Sequence, residues 1–265
     1  MDAGSTIVNI AVSRDGKWIV SGSDGQVMLW NARSHEKLID FTGHTRLVDA
    51  VDISSDTTKI VTGSEDCTVI VWSLSTGQKL LGPFKHPEWI AAAKFSPDGR
   101  LFATATRGRN SVRIYDSRDG CLLVDFPVKV RRHRNRSIAW LSDSKQLFAI
   151  SHDGIIHNLD VSSGTTLSTW AIHSSNRPGC TVLASNGTFI VASDDTWVSF
   201  WDTSTHKQIG PLIHHPADIV TMALSANYDL AIGGGEHLTL WHLPDILPSP
   251  YFDDVSLFAL NARRE

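Results

Sequence analysis

The chain has 265 residues, of which 42% are hydrophobic and 20% charged, and its formal net charge is −4 at pH 7. This composition is ordinary for a soluble globular protein, and so small a net charge excludes a strong general attraction to nucleic acid or to anionic membranes. We expect no transmembrane helix, since no apolar run reaches about 18 residues, and no signal peptide. The three cysteines are widely spaced, so we expect a reducing location, the cytoplasm or alternatively the nucleus.

One sequence pattern recurs along the chain: a strand-like run that ends in a large side chain followed by a polar residue. The pattern is IVSGSDGQVMLWN at 19–31 and IVTGSEDCTVIVWS at 60–73. The large residues at its end are Trp30, Trp72, Tyr115, Leu159, Trp201 and Trp241. A turn rich in Ser, Asp and Gly, such as SRDG at 13–16 or SPDG at 96–99, precedes each copy with the same period. Periods of roughly 20–50 residues are typical of repeat architectures, so we infer six repeats.

Each repeat contains short runs that alternate in polarity and are separated by turns. In the second repeat they are VDAVDIS (48–54), KIVTGS (59–64), TVIVWS (68–73) and QKLLGPF (78–84). Alternation with period two predicts four short antiparallel strands, of which the small-residue run is innermost. Four-stranded sheets repeated in this way are the blades of a β-propeller.

We therefore predict an all-β fold, a single β-propeller of six four-stranded antiparallel blades over residues 1–252. The expected units are roughly 5–45, 46–87, 88–134, 135–177, 178–216 and 217–252. The tail, 253–265, is expected to supply the closing strand of the last blade through VSLFAL (255–260), or else to form a short helix.

The segment TGHTRLVDAVDISSDTTKIVTGSEDCTVIVWS (42–73) resembles a WD40 repeat. Gly43 and His44 correspond to the GH pair of that family, and Trp72 to the W of its WD pair. Trp201–Asp202 is a literal WD pair. The resemblance extends to about residue 243 and implies a propeller that binds other proteins. The segment LPDILPSPYF (243–252) is also similar to WD40 proteins of mushroom-forming fungi.

The resemblance further implies a buried, hydrogen-bonded tetrad in the second repeat. Its members are His44, Thr62, Asp66 and Trp72. A buried carboxylate requires hydrogen-bond donors, which the imidazole and a tight turn can supply. Other repeats depart from this pattern, and the third has Arg109 in place of the aspartate. We expect apolar packing to stabilise the repeats that lack the complete tetrad.

We expect no catalytic residue, no metal and no cofactor. The His, Asp and Ser/Thr sets are explained by the repeat, and there is no G-x-S-x-G elbow. The twelve histidines have no Cys or Asp partners at metal-ligand spacing.

Two tryptophans lie outside the repeating core position. Trp89 precedes an inner strand, and Trp197 follows the turn SDD. In the family that the chain resembles, both positions lie on the top rim of the propeller. Each is a candidate anchor for a partner, or alternatively rests on its neighbours.

Two arginine-rich segments are expected to meet on the same face, TRGRNS (106–111) and VKVRRHRNR (128–136). They supply the candidate partner-binding residues Arg107, Arg109, Arg131, Arg132, Arg134 and Arg136. Arginine suits carboxylate and phosphate, so an acidic or phosphorylated peptide is the expected ligand. The alternative is a solvated loop, and nucleic acid is disfavoured because the patch is small.

The leading hypothesis is a non-catalytic scaffold or adaptor that binds a peptide, a protein domain or an anionic group on its top face. The alternatives are a ligand-sensing domain of a larger fungal regulatory protein and a propeller enzyme. The sequence does not predict the oligomeric state.

Overall fold

The computed structural model describes residues 6–107, 112–128, 138–151, 154–172, 178–183, 187–194, 196–225 and 227–252. Within these ranges the regular structure consists of antiparallel strands and two short 3-10 helices, so the all-β prediction is confirmed. None of the helices described here is long and apolar enough to cross a membrane. Contacts divide the chain into two compact units, one of Met1–His152 with His157–Thr169 and the other of Asp153–Ile156 with Trp170–Glu265.

The first two repeats form one continuous sheet because they share a strand. Its strands, which are neighbours in chain order, are β1 (Asn9–Val12), β2 (Trp18–Gly22), β3 (Asp24–Asn31), β4 (Lys37–Ile53), β5 (Lys59–Ser64), β6 (Thr68–Ser73) and β7 (Lys79–Lys85). The first part of the 17-residue β4 pairs with β3 and its last part pairs with β5. The outer strand of one repeat thus runs without a break into the inner strand of the next.

The third and fourth repeats each form a separate four-stranded sheet. The third consists of β8 (Ile90–Phe95), β9 (Leu101–Thr106), β10 (Val112–Asp116) and β11 (Leu122–Phe126). The fourth consists of β12 (Ile138–Trp140), β13 (Gln146–Ile150), β14 (Ile155–Asp160) and β15 (Thr165–Ala171). In both sheets, neighbours in sequence are neighbours in the sheet.

The last two sheets differ in strand number. The fifth consists of β16 (Pro178–Leu183), β17 (Phe189–Asp194), β18 (Trp197–Asp202) and β19 (Gln208–His214). The sixth has three described strands, β20 (Thr221–Leu224), β21 (Asp229–Gly234) and β22 (His237–His242), and the 3-10 helices Leu243–Asp245 and Ser249–Tyr251 follow it. The predicted tail strand or helix lies outside the described residues. The single ring of six blades and the unit boundaries stay predictions.

The recurring Ser/Asp/Gly turn is a side-chain-stabilised hairpin. In the second repeat the Ser54 hydroxyl donates to Asp56 Oδ1 over 2.6 Å and accepts from the amide of Lys59 over 2.9 Å. Ser96 makes the same two bonds, to Asp98 at 2.6 Å and from Leu101 at 3.0 Å. The serine and aspartate therefore recur with the repeat because together they close the turn between the first two strands.

Adjacent sheets of the first unit pack through small residues. Ala91, Ala92 and Ala93 of β8 are buried, and Ile90 lies against Gly63 of β5. A Cβ atom placed on Gly63 would lie 2.3 Å from Ile90 Cγ2, so only glycine fits there. A separate apolar cluster fills the second unit and reaches from β17 to the 3-10 segment, where it includes Leu243 and Leu247.

Candidate binding site around Trp89

The polar tetrad of the second repeat fixes the loops that carry the site. His44 Nδ1 lies 2.9 Å from Asp66 Oδ2, and His44 Nε2 lies 2.7 Å from Thr62 Oγ1. Trp72 Nε1 donates to the same Thr62 oxygen over 2.8 Å. The structure thus brings together all four residues that the resemblance implies. The backbone amide of Thr45 also donates to Asp66 Oδ2 over 3.0 Å, which ties the loop after His44 to the β5–β6 turn.

Burial and hydrogen bonding set the charges in this tetrad. Burial lowers the pKa of His44, and this outweighs the raising effect of Asp66, so the ring is neutral at pH 7. The pKa of Asp66 is also lowered: burial raises it, but hydrogen bonds from Thr68, Thr45 and His44 together outweigh that effect. A neutral imidazole has one N–H, so Nδ1 donates to Asp66 and Nε2 accepts from Thr62.

Other repeats keep only part of this network. Trp30 Nε1 donates to Ser21 Oγ over 2.8 Å in the first repeat. In the fifth, Ala192 stands at the position of Thr62 and has no hydroxyl, and Trp201 Nε1 donates instead over 2.8 Å to Ser199 of its own strand. In the third, the Tyr115 hydroxyl lies 3.3 Å from His86 Nε2. The expectation that apolar packing dominates these repeats agrees with their buried core strands.

Trp89 lies just before β8 and is 37% exposed, although it is large and apolar. Two guanidinium groups lie within cation–π distance of its indole. Arg46 Cζ is 5.3 Å from the ring centroid, and Arg107 Cζ is 5.5 Å from it. Such contacts contribute about 0.5–2 kcal/mol each, and here they restrict the orientation of an exposed ring.

Arg107 is held by two carboxylates from the second repeat. Its Nη2 bonds to Asp49 of β4, and its Nη1 lies 3.3 Å from Glu65 Oε1 in the β5–β6 turn. The side chain of Arg107 is 10% exposed, and those of Asp49 and Glu65 are 1% and 15% exposed. The amide of Arg107 also donates to the carbonyl oxygen of Trp89 over 2.7 Å. Arg107 is thus a fixed support of Trp89.

This placement of Arg107 differs from the sequence expectation of an exposed basic patch. The difference arises because Glu65 and Arg107 follow the equivalent second strands of neighbouring repeats, so their opposite charges meet between adjacent sheets. The other candidate arginines, Arg109, Arg131, Arg132, Arg134 and Arg136, lie outside the described residues. The structure adds Arg46, an exposed residue that the sequence analysis missed.

Trp197 is the first residue of β18 and is 47% exposed. Its ring centroid lies 4.7 Å from that of His214, its cross-strand neighbour in β19. It therefore rests on a neighbour, as one alternative anticipated, while one side stays accessible.

The fold and the site define a class of protein. It is an all-β repeat protein that presents an oriented aromatic residue, Trp89, next to residues of the second and third repeats. Comparison with known families adds to this over part of the chain: residues 3–31, 35–73 and 78–116 match the family model of the WD domain, G-beta repeat. The chain therefore carries WD40 repeats over these three segments, and the resemblance seen in the sequence is confirmed there. Its antiparallel sheets are consistent with a WD40 β-propeller.

Three similar proteins, one from a fungus and two from plants, illustrate the range of relatives. The chain is 26% identical over 248 residues to eukaryotic translation initiation factor 3 subunit I of Neurospora crassa, covering 86% of this chain and 69% of that protein. It is 31% identical over 150 residues to small ribosomal subunit protein RACK1y of Oryza sativa subsp. japonica (54% and 44% covered). It is 27% identical over 212 residues to guanine nucleotide-binding protein subunit beta of Zea mays (74% and 56% covered). These relatives do not support the narrower resemblance to proteins of mushroom-forming fungi.

Proposed function

We propose that the chain is a non-catalytic interaction scaffold that binds a protein or peptide at the Trp89 site, formed by Arg46, Trp89 and Arg107. The observation that carries this proposal is an exposed tryptophan whose ring lies within cation–π distance of arginines from two repeats. Tryptophan and arginine dominate the binding energy of protein interfaces. A ring that is already oriented loses little conformational freedom on binding.

The relatives support a scaffold over an enzyme. The three names above are those of an initiation factor subunit, a small ribosomal subunit protein and a guanine nucleotide-binding protein subunit, so each is the name of a component of an assembly. This chain spans between 44% and 69% of their lengths. No observation favours the alternatives of a sensing domain of a fungal regulator or a propeller enzyme. A cytoplasmic location stays a prediction.

The exposed positive charge of Arg46 predicts a negative charge on the proposed partner. The two carboxylates next to Arg107 outweigh its single positive charge, whereas Arg46 is exposed and, among the described residues, forms no ion pair within 4 Å. Its planar guanidinium can form two hydrogen bonds with a carboxylate or phosphate. The partner segment therefore combines an apolar side chain for Trp89 with an acidic or phosphorylated group for Arg46.

The experiment is quantitative affinity purification followed by a direct binding measurement on the proteins recovered. The baits are the wild-type chain, Trp89→Ala, Arg46→Glu and the control Leu122→Ala, which alters an exposed residue of the outer strand β11. Trp89→Ala should lower affinity by about 2 kcal/mol, roughly thirtyfold, as for an interface hot spot. Arg46→Glu should also weaken binding, and Leu122→Ala should not. Equal recovery and affinity with all four baits would refute the proposal.

A further inference from the structure

The chain contains two Ser–Pro dipeptides, and their serines lie in different environments. In Ser96–Pro97 the serine is 1% exposed, and its hydroxyl donates to Asp98 Oδ1 over 2.6 Å and accepts from a backbone amide of the same turn over 3.0 Å. In Ser249–Pro250 the serine is exposed, and within the described part of the chain its hydroxyl forms no hydrogen bond. Of the two serines, only Ser249 therefore offers an accessible hydroxyl directly before a proline.

The segment that carries Ser249 follows the last described strand and is held by local backbone hydrogen bonds. The amide of Phe252, for example, donates to the carbonyl oxygen of Ser249 over 3.0 Å. Pro248 and Pro250, which flank the serine, are exposed and have no amide hydrogen to donate. Residues 248–250 can therefore extend into the active site of another enzyme without breaking a strand pairing.

A side-chain hydrogen bond anchors the end of this segment. Tyr251, two residues after Ser249, donates from its hydroxyl to Asp202 Oδ2 over 2.8 Å. Burial raises the pKa of Asp202, but hydrogen bonds, including those from Thr205 and Ser204, outweigh this effect and lower the pKa, so the carboxylate is charged at pH 7. A phosphate group carries a charge of about −1.5 to −2 at pH 7 and is disruptive next to a carboxylate. A phosphate on Ser249 would therefore weaken the anchor.

We propose that Ser249 is a phosphorylation site for a proline-directed protein kinase, and that its phosphate loosens residues 249–252 by repelling Asp202. Kinases of this class place the residue after the acceptor serine in an apolar pocket, where proline is favoured because it has no N–H to leave unpaired. In the reaction the Ser249 oxygen attacks the γ-phosphorus of ATP, and its proton passes to a base of the kinase. The bond from the γ-phosphorus to the bridging oxygen breaks, and ADP leaves with the electron pair.

The test of the site is phosphorylation of the folded full chain with ATP by two purified kinases, a mitogen-activated and a cyclin-dependent protein kinase. Peptide mass spectrometry measures the rate at each serine. Ser249 should react at least about tenfold faster than Ser96, because Ser96 must first be exposed by local unfolding. Pro250→Ala should slow the reaction at Ser249 at least about tenfold, because alanine restores an N–H that the pocket leaves unpaired, whereas the control Pro244→Ala should not. No reaction at Ser249 with either kinase, or equal rates at the two serines, would overturn the proposal.

Hydrogen exchange of peptides that cover residues 243–252 tests the effect of the phosphate. Exchange should be at least about threefold faster in the phosphorylated chain than in the unmodified chain, with β17 and β18 unchanged as a check on folding. Asp202→Asn removes the charge while leaving a side chain of the same shape, so phosphorylation should accelerate its exchange less. Ser249→Ala treated with the kinase should show no change. Equal exchange with and without the phosphate would refute the loosening, and an equal acceleration in Asp202→Asn would refute repulsion by that carboxylate.

Discussion

The amide of Arg107 donates to the carbonyl oxygen of Trp89 over 2.7 Å, while the guanidinium of the same arginine lies 5.5 Å from the centroid of the indole ring. One residue thus fixes both the backbone and the side chain of the proposed anchor. Its own position depends on Asp49 and Glu65 of the preceding repeat. Trp89 is therefore supported by two repeats at once. The structural contribution of Arg107 can be measured separately from the contribution of the exposed Arg46.

Replacing Arg107 should destabilise the fold, whereas replacing Arg46 should not. Arg107→Met leaves Asp49 and Glu65 buried without their cation, and breaking a buried ion pair in this way costs about 3 kcal/mol or more. Arg46→Met removes one exposed cation–π contact and should cost no more than about 1 kcal/mol. Denaturant unfolding measures both values. Equal losses would show that Arg107 is not the structural support.

The tetrad should make the second repeat sensitive to loss of its carboxylate. Asp66→Ala leaves the Thr45 amide and His44 without their acceptor, which should cost about 1–3 kcal/mol of unfolding free energy. The matched control is Asp40→Ala, which removes an exposed carboxylate paired with Lys37 at 2.9 Å and should cost about 0.5 kcal/mol or less. Similar losses in the two variants would contradict a structural role for Asp66.

The repeat pattern made most of the fold predictable. The large residue at the end of each third strand and the serine–aspartate turn recur because each repeat closes the same hairpins, so local sequence carries the signal. The continuous strand β4 was not predicted, since residues 42–47, TGHTRL, have no strand-like alternation. Thr42 and Leu47 pair with β3, and the pairing with β5 begins only at Val48.

The site was less predictable because its contacts are not local. Arg107 is 58 residues from Asp49 and 42 from Glu65, so no short motif reveals the pairing. A signal was nevertheless present: Asp49 interrupts an inner strand whose counterpart in the third repeat is Ala91, and a charge there requires a buried partner. When the second and third repeats are aligned, Arg46 falls directly before the position of Trp89. The sequence alignment could therefore have predicted that Arg46 lies near Trp89.

Stability should fall below pH 6.5 through His86. Burial lowers the pKa of His86 to about 4 from its ordinary value of 6.5, so the folded state holds the neutral ring while the unfolded state takes up a proton as the pH falls. The stability that this difference provides is complete above pH 6.5 and is lost progressively as the pH falls toward 4. Between pH 7 and pH 5 the loss from this residue should be about 2 kcal/mol.

The measurement is the free energy of unfolding of wild type and His86→Gln at both pH values. Glutamine does not titrate, so the variant should lose about 2 kcal/mol less than wild type over this interval. The lowered pKa of His44 acts in the same direction but is common to both proteins and cancels in the difference. Parallel pH dependences would show that His86 is not held neutral by burial.

The acidic character of the partner should appear as salt dependence at the Trp89 site. If Arg46 pairs with a carboxylate or phosphate, affinity should fall as salt is raised from about 0.05 to 0.5 M, because exposed charges are screened over a shorter distance. In Arg46→Gln the affinity should be lower and its salt dependence smaller. A separate variant, Arg109→Ser with Arg132→Ser and Arg134→Ser, tests the predicted arginine-rich loops: if these loops also contact the partner, the salt dependence decreases further when the two variants are combined. An affinity that salt does not change in the wild-type chain would contradict an acidic partner and would leave Trp89 as an apolar anchor alone.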